Sequence, residues 1–142
     1  MIHLKFDEAS EPKYMTSGSA AADLKARVTT TIPPLGRVIV PTGVWIDNVD
    51  WDSVPEGCIP ELQIRCRSGL AFKYGIMLTN GVGTVDADYP DEIGVLLSNT
   101  GEKEFVIEAG DRVAQLVLNT VHRIPNLPVG GKRDGGFGST QK

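Results

Sequence analysis

Glycine and proline interrupt this chain at short intervals, and its 142 residues include sixteen glycines and nine prolines. Both residues disfavour helix interiors, and no segment keeps an amphipathic helical period over three turns. Apolar and polar residues instead alternate over short stretches, with the period of two that is typical of β-strands. The clearest stretches are residues 2–6, 38–40, 62–66 and 113–118. The pattern predicts an all-β fold, either a sandwich or a barrel.

Two short segments depart from the strand pattern. We predict a helix of one or two turns that begins at Ser68, with the Ser68 hydroxyl as its cap. Residues 47–56 are acidic and carry Trp51, so we predict an irregular surface loop between two strands. The tryptophan either folds back on the domain or contacts a partner, and the sequence leaves both alternatives open.

Length, charge and composition exclude several classes of protein. A chain of this length forms one domain with its own core. Its net charge of −4 argues against a non-specific nucleic-acid binder, which needs a broad basic face. No apolar run approaches the length of a membrane span, and no signal-peptide pattern is present. We expect no direct nucleic-acid partner, no membrane partner and a cytoplasmic location, which is the host cytoplasm if the gene is viral.

The two cysteines, Cys58 and Cys66, lack the spacing of metal ligands, and His3 and His122 stand alone in the sequence. We therefore expect free thiols, as is usual in a reducing compartment, and no metal centre built from these residues. Buried or half-buried packing is the role that we predict for both cysteine side chains.

The C-terminal residues 132–142 have the composition of a lid over an anion. Glycines let backbone N–H groups approach an anion closely, and hydroxyl and basic side chains add further donors. One aromatic side chain, Phe137, stands in this polar run without apolar neighbours. We therefore predict a C-terminal arm over residues 132–142 that follows a β-domain over residues 1–131. The arm is expected to close over a phosphate-bearing ligand with a flat base.

Three further clusters carry side chains that a plain β-domain does not need. Asp23 stands after three alanines, where it is either a strand-edge residue or a partner of metal-bound waters. Arg67 and Ser68 place a guanidinium and a hydroxyl at a helix start, which suits a phosphate but also suits a simple cap. Strand alternation places Gln115 on the same side as Val113, so its amide needs either a ligand oxygen or backbone groups as partners.

The last cluster follows the dipeptide Asn80-Gly81, which predicts a β-hairpin whose exposed backbone suits a planar, amide-like ring. Asp86 and Asp88 are two residues apart, so on a strand they share one face. Tyr89 offers a flat surface beside them. A solvated hairpin with surface aspartates is the alternative interpretation.

In chain order, these five clusters resemble the trimeric deoxyuridine triphosphate nucleotidohydrolases, the dUTPases. The resemblance extends from Ala20 to Thr140 and is carried by four segments that match the family sequence, residues 67–71, 85–89, 110–115 and 135–140. It implies a jelly-roll-like, distorted β-barrel subunit of the dUTPase-like or β-clip type. It also implies a homotrimer in which each active site takes segments from all three chains.

The resemblance implies hydrolysis of dUTP to dUMP and pyrophosphate, which limits uracil in DNA and supplies dUMP for thymidylate synthesis. Asp86 would bond the deoxyribose 3′-hydroxyl and orient the water that attacks the α-phosphorus. Tyr89 would pack beneath the sugar and exclude a ribose 2′-hydroxyl. Mg²⁺ would be the cofactor, bound mainly by the triphosphate, with Asp23 contacting it through water.

The other residues that the resemblance implicates bind the base or the phosphates. Uracil would be read by Asn80 and by the backbone around Thr84 and Val85. The phosphate ligands would be Arg67, Ser68, Gly69 and Gln115, of which the first and last would also take part in catalysis. The closing residues of the arm would be Phe137, stacked on uracil, and Gly138, Ser139 and Thr140 at the γ-phosphate.

The chain departs from the family pattern at several positions. Lys132 stands where the family has an arginine and Arg133 is shifted by one, so either residue can fill that role. Cys66 replaces a proline that often precedes Arg67. None of these departures touches Asp86, so we expect the activity to be kept.

Two other functions are open from the sequence. A dCTP deaminase, or a bifunctional dCTP deaminase and dUTPase, would share the fold and the trimer. A non-catalytic jelly-roll regulator or assembly protein is the second alternative, and the acidic loop around Trp51 would be its contact surface.

Overall fold

The computed structural model describes residues 1–133, which form eleven β-strands, one α-helix and two short 3₁₀ turns. The strands are β1 Ile2–Phe6, β2 Ala22–Lys25, β3 Thr30–Ile32, β4 Arg37–Pro41, β5 Val44–Val49, β6 Cys58–Arg65, β7 Ile76–Leu78, β8 Gly83–Asp86, β9 Gly94–Asn99, β10 Phe105–Ile107 and β11 Arg112–His122. The helix α1 spans Ser68–Tyr74, and the 3₁₀ turns span Glu8–Ser10 and Trp51–Ser53. None of the helical segments in this part of the chain has the length and apolar character of a membrane-spanning helix.

The strands pair antiparallel in four sheets within the described residues. The largest sheet has the order β2-β11-β6-β8, the second has the order β4-β9-β7, and two pairs are formed by β1 with β5 and by β3 with β10. Antiparallel sheets that bury one face need apolar residues at alternate positions, which is the pattern of the sequence. The predicted all-β fold is confirmed.

The core lies between these sheets. In β6, Pro60, Leu62 and Ile64 are buried, whereas Glu61 and Gln63 between them lie half-buried on the outer face. Other strands contribute side chains that are at most 1% exposed, among them Leu24, Ile32, Val40, Val95 and Leu97. The outer face of the large sheet is therefore polar, and it carries several predicted site residues.

A bulge in β11 changes one predicted direction. The pairing of β11 with β2 shifts register between Arg112 and Ala114, and both Val113 and Ala114 are buried in the core. Beyond the bulge, Leu116 is buried, whereas Gln115 is half-buried on the outer face. The prediction that Gln115 shares the side of Val113 is wrong, because the bulge inserts one extra residue into the alternation.

Residues 79–82 connect two sheets and do not close a hairpin. β7 pairs with β9, whereas β8 pairs with β6. The Gly81 N–H donates to the Leu78 carbonyl at 3.2 Å, and Gly81 has a left-handed φ of 74°. The predicted turn is present, but the predicted β-hairpin at Asn80-Gly81 is wrong.

The helix α1 begins at the predicted residue but is capped differently. Arg67 is the N-cap residue, and no side chain makes a capping hydrogen bond there. The helix ends at Tyr74, and the C-cap residue Gly75, with a left-handed φ of 67°, donates its N–H to the Ala71 carbonyl. The prediction that Ser68 caps the helix is wrong, and Ser68 is exposed as its first residue.

The segment 47–56 is more ordered than predicted. β5 continues to Val49, because Val49 pairs with Ile2 of β1, and a 3₁₀ turn follows at Trp51. The prediction of an irregular loop is therefore wrong for residues 47–49. Trp51 is 52% exposed, so it does not fold back into the core, and a partner contact through it stays a prediction.

Both thiols are free, as predicted. The Cys58 Sγ atom lies 3.4 Å from His122 Nδ1, so His122 has a neighbour that its sequence position does not indicate. The Cys66 Sγ atom accepts a hydrogen bond from the Leu78 N–H.

Candidate active site

The first group of predicted site residues surrounds Asp86, the last residue of β8. The strand buries alternate residues, so Thr84 and Asp86 point outward. A turn follows, in which the Tyr89 N–H donates to the Asp86 carbonyl at 3.0 Å. We refer to Asp86, Asp88, Tyr89 and Arg133 as the Asp86 cluster.

Arg133 joins the two carboxylates of this cluster. Its Nη1 atom lies 2.6 Å from Asp86 Oδ2 and 3.6 Å from Asp88 Oδ1. Its guanidinium carbon lies 5.5 Å from the centroid of the Tyr89 ring, within the range of a cation–π contact. The hydrogen bond with Asp86 raises the pKa of Arg133. Asp88 lies in the turn, so the predicted shared strand face is wrong, but one guanidinium still contacts both carboxylates.

The Tyr89 side chain is a buried wall of the cluster, with 8% of its surface exposed. Its hydroxyl donates to the Glu92 carbonyl at 3.2 Å. Burial, and after it the negative charge of Asp91, raises the pKa of Tyr89 above its ordinary value. The phenol is therefore neutral near pH 7 and remains a hydrogen-bond donor.

The Glu92 side chain supports this turn, a role that no sequence pattern indicated. Its carboxylate accepts hydrogen bonds from Arg27 at 2.9 and 3.1 Å and from the Gly43 N–H at 2.6 Å. Burial taken alone would raise the pKa of Glu92, but these bonds stabilise the charged form and the net effect lowers it. Arg27 and Glu92 are 65 positions apart, so no local pattern indicates the pair.

A cavity of about 180 Å³ opens beside the Asp86 cluster. Its lining residues are Ile64, Asn80, Gly83, Thr84, Val85, Tyr89, Ile93, Gly94 and Arg133. A Cβ on Gly83 would lie 3.0 Å from the Ile64 Cβ, so a larger residue would crowd Ile64 where β8 approaches β6. The cavity combines exposed backbone, one side-chain amide and one aromatic wall, which suits a flat, hydrogen-bonding ring.

The second group lies where β6 and β11 meet the start of α1, and we refer to Arg67, Ser68, Gly69 and Gln115 as the Arg67 cluster. Arg67 Nη1 donates to the Arg112 carbonyl at 3.0 Å. Ser68 and Gly69 are exposed, and a Cβ on Gly69 would meet nothing within 4 Å. The cluster therefore presents a guanidinium, a hydroxyl and amide groups on an open surface, where an anion can reach them.

Asp23 adjoins the Arg67 cluster from β2. It is 7% exposed and lies opposite Gln115 in the strand register. Its Oδ2 atom accepts a hydrogen bond from Arg112 Nη1 at 3.2 Å. It also lines a cavity of about 660 Å³ whose wall includes Glu11 and Lys13. Asp23 is thus a buried, ion-paired strand residue.

Metal-ligating side chains are not clustered within the described residues. Within residues 1–133, no three or more His, Cys, Asp or Glu side chains are placed to hold a metal ion. Residues 1–133 of one chain therefore do not form a direct metal site by themselves. Asp23 bonds Arg112 through Oδ2, and its other oxygen, Oδ1, fits a contact through water with an ion whose direct ligands come from a bound phosphate chain.

The two clusters of one chain lie far apart. Asp86 pairs with Glu61 on one side of β6, and Gln115 pairs with Arg65 on the other side. The offset along β6 and the two strand spacings across it separate Asp86 from Gln115 by about 16 Å. One phosphorus atom therefore cannot contact both side chains of the same chain in this arrangement.

The arm is described only at its start. Lys132 is exposed, whereas Arg133 is half-buried in the Asp86 cluster. The predicted roles of Phe137, Gly138, Ser139 and Thr140 lie outside the described residues.

A family model described as dUTPase matches residues 7–141. The chain belongs to the dUTPase family. The resemblance inferred from the sequence segments is confirmed.

The deoxyuridine 5′-triphosphate nucleotidohydrolase of Treponema pallidum subsp. pallidum is 46% identical over 140 residues, covering 93% of this chain and 90% of that relative. The protein of the same name from Chlamydia muridarum is 41% identical over 140 residues, covering 93% of this chain and 91% of that relative. Members of the dUTPase family thus match this chain along nearly all of its length.

Solved structures of dUTPases share the fold. The crystal structure of the dUTPase from Streptococcus mutans aligns with a TM-score of 0.69 at 30% identity, covering 90% of this chain and 98% of that chain. The Staphylococcus bacteriophage 80alpha dUTPase with dUPNHPP aligns with a TM-score of 0.71 at 21% identity, covering 100% of this chain and 99% of that chain. At 21% identity, the similarity to the bacteriophage 80alpha enzyme shows a shared fold only.

Proposed function

We propose that this dUTPase family member hydrolyses dUTP to dUMP and pyrophosphate, and that Asp86 orients the attacking water. The observation that carries the proposal is the position of Asp86 beside a cavity for a flat ring, next to the buried Tyr89 ring. The names of the relatives describe a nucleotidohydrolase of deoxyuridine 5′-triphosphate, which agrees with this assignment.

The deoxynucleoside occupies the Asp86 cluster in this proposal. Uracil enters the 180 Å³ cavity, where Asn80 and the backbone around Thr84 and Val85 bond its polar edge. A base with a different donor pattern would leave these groups unpaired, which is the origin of selectivity. Tyr89 lies beneath the sugar and excludes a 2′-hydroxyl, because its buried ring occupies that space.

The reaction is an in-line displacement at the α-phosphorus. Asp86 accepts hydrogen bonds from the 3′-hydroxyl and from the water, which attacks as pyrophosphate leaves. Arg133 bonds Asp86 in the described structure, so it must give way to these partners. The Cys58 thiol contacts His122, but Cys58 lies about 10 Å along β6 from the position opposite Asp86, so we propose no covalent intermediate.

The phosphates are held by the Arg67 cluster of a neighbouring chain. The separation of about 16 Å within one chain supports this, because the two clusters serve one substrate only if different chains supply them. A homotrimer arranges three such sites by symmetry. Arg67 and Gln115 then stabilise charge on the phosphates, and Ser68 and Gly69 add donors.

The arm, residues 132–142, closes over each site in this proposal, and residues 1–131 form the barrel. Of the two arm residues that the structure describes, Arg133 contacts Asp86, so we assign it the cationic role together with Lys132. Phe137 covers the base, and Gly138, Ser139 and Thr140 bond the γ-phosphate.

Mg²⁺ is the proposed cofactor, bound mainly by the triphosphate. When bound, it neutralises charge on the leaving pyrophosphate. Asp23 contacts the ion through water, and the Arg112 guanidinium holds the Asp23 carboxylate in place for that contact.

The reaction keeps uracil out of DNA and supplies dUMP for thymidylate synthesis. Its substrate belongs to the deoxynucleotide pool, so the proposed location is the cytoplasm, or the host cytoplasm if the gene is viral.

The test follows the products of dUTP in the presence of Mg²⁺. The wild-type protein should release dUMP and pyrophosphate in equal amounts, and the Asp86→Asn variant should release neither. Ammonia released from dCTP would instead favour the deaminase. Binding of dUTP without any pyrophosphate would contradict hydrolysis and favour the regulator.

A further inference from the structure

Cys66 adjoins the Arg67 cluster along the chain and contacts β7, the strand that leads to Asn80. It follows the last residue of β6 and precedes Arg67. Its side chain is half-buried against the core. Its Sγ atom accepts a hydrogen bond from the Leu78 N–H at 3.2 Å.

The Leu78 N–H needs this acceptor because of its place in the sheet. β7 is an edge strand, paired only with β9 among the described strands. The neighbouring Thr79 N–H donates to the Leu96 carbonyl of β9 at 3.0 Å. Successive N–H groups of a strand point to opposite edges, so the Leu78 N–H points away from β9. Leu78 is 4% exposed, so the thiol replaces a water that this N–H would otherwise need.

The same leucine also fixes the turn that leads to β8. The Leu78 carbonyl accepts a hydrogen bond from the Gly81 N–H at 3.2 Å. Asn80, which lines the cavity for the flat ring, lies inside this bonded turn. One thiol therefore links the segment that carries Arg67 to the turn that carries Asn80.

We propose that Cys66 is a positioning residue that holds the turn of Asn80 in register with the segment of Arg67, and so determines both base selectivity and phosphate binding. The tie therefore requires a side chain with an acceptor atom at position 66. The inference rests on the proposed function, since it assigns Asn80 to the base and Arg67 to the phosphates.

The test compares Cys66→Ala with Cys66→Ser in the full-length protein. The alanine variant removes the acceptor, and we expect kcat/KM for dUTP to fall about tenfold and the preference for dUTP over dTTP and dCTP to fall several-fold. Serine keeps an acceptor and should restore most of both. The matched control is Cys58→Ala, which removes the other half-buried thiol and should leave both values unchanged. Wild-type selectivity and KM in Cys66→Ala would overturn the proposal.

Amide hydrogen exchange gives a readout that needs neither activity nor a folded alanine variant. In the wild-type protein, the Leu78 amide should exchange as slowly as the Thr79 amide, although it faces the open edge of β7. In Cys66→Ser it should stay protected. Rapid exchange at Leu78 in the wild-type protein would overturn the tie. Protection at Leu78 in a protein that does not hydrolyse dUTP would overturn the proposed function and leave the tie standing.

Discussion

The Asp86 cluster and the Arg67 cluster differ in how much of their structure one chain supplies. Tyr89 is 8% exposed and bonded to the Glu92 carbonyl, and Glu92 is held in turn by Arg27 and Gly43. In contrast, Ser68 is exposed, and the Arg67 guanidinium donates to one backbone carbonyl. Contacts within one chain hold the Asp86 cluster in place. The Arg67 cluster, in contrast, is open to a ligand or a neighbouring chain.

The two halves of a nucleotide account for this difference. A base and a sugar are recognised by shape and by donor pattern, which needs side chains fixed in advance by packing. A phosphate chain is recognised by charge-assisted hydrogen bonds, which tolerate flexible side chains and contributions from several elements. A rigid pocket and an open cationic surface therefore belong to one proposed substrate.

The largest expected effect comes from Asp86→Asn. The change keeps the shape of the side chain but removes the charge that orients the water, so kcat should fall by about 10²–10⁴-fold. The affinity for dUTP should change little, because the cavity and Tyr89 are intact. Pyrophosphate release and equilibrium binding measure the two effects separately. A variant with wild-type kcat would remove Asp86 from the proposed role.

The second prediction tests whether the two clusters serve one substrate from different chains. Arg67→Ala removes the planar cation of the Arg67 cluster and should lower kcat/KM by about 100-fold. Arg67→Lys keeps the charge but not the paired N–H donors of the guanidinium, so kcat/KM should fall less.

A mixture of two inactive variants sharpens this test. When equal amounts of Asp86→Asn and Arg67→Ala chains are unfolded and refolded together, random trimers should regain about a quarter of the wild-type sites, because one site in four then combines both intact clusters. Each variant refolded alone is the control. No recovery in the mixture would show that each chain builds its own site, and that the separation of about 16 Å closes by rearrangement.

The third prediction concerns the ion pair of Glu92 and Arg27, which supports the Asp86 cluster. Glu92→Gln keeps the shape but removes the charge that Arg27 contacts, so Tm near pH 7 should fall by about 3 °C. The pKa of Glu92 is lowered in the folded protein, so its contribution to stability is present above the ordinary value near 4.5 and is lost as the pH falls through the folded pKa. The difference in Tm between wild type and variant, measured from pH 7 to pH 3, should therefore shrink towards low pH. A difference that grows on acidification would contradict the assignment.

The same comparison shows what the sequence could and could not reveal. Short-range patterns predicted the strands, the helix start at Ser68 and the segments that carry Asp86 and Arg67, because alternation and turn chemistry are local properties. The bulge at Arg112 and the true partners of β7 and β8 depend on which distant strands pair, and Asn80-Gly81 looks locally like a hairpin.

The sequence patterns did not indicate the ion pair of Glu92 and Arg27, for a related reason. Its partner Arg27 is 65 positions away, and neither residue stands in a recognisable motif. Ion pairs between distant strands follow from the completed fold, so sequence motifs indicate candidate ligand-binding residues more readily than the residues that hold them in place.

The smallest expected effect comes from Tyr89→Phe, which removes only the hydrogen bond to the Glu92 carbonyl. The ring stays packed, so kcat for dUTP should stay within about fivefold of wild type, since one neutral hydrogen bond contributes about 1 kcal/mol. Tyr89→Ala removes the ring itself and should raise activity towards UTP relative to dUTP much more. The ratio of kcat/KM values for dUTP and UTP measures both variants. If Tyr89→Phe lowers this ratio as much as Tyr89→Ala, the hydrogen bond to the Glu92 carbonyl, and not the ring, determines sugar selectivity. The Asp86 cluster would then depend on this hydrogen bond more than on the packing of the ring.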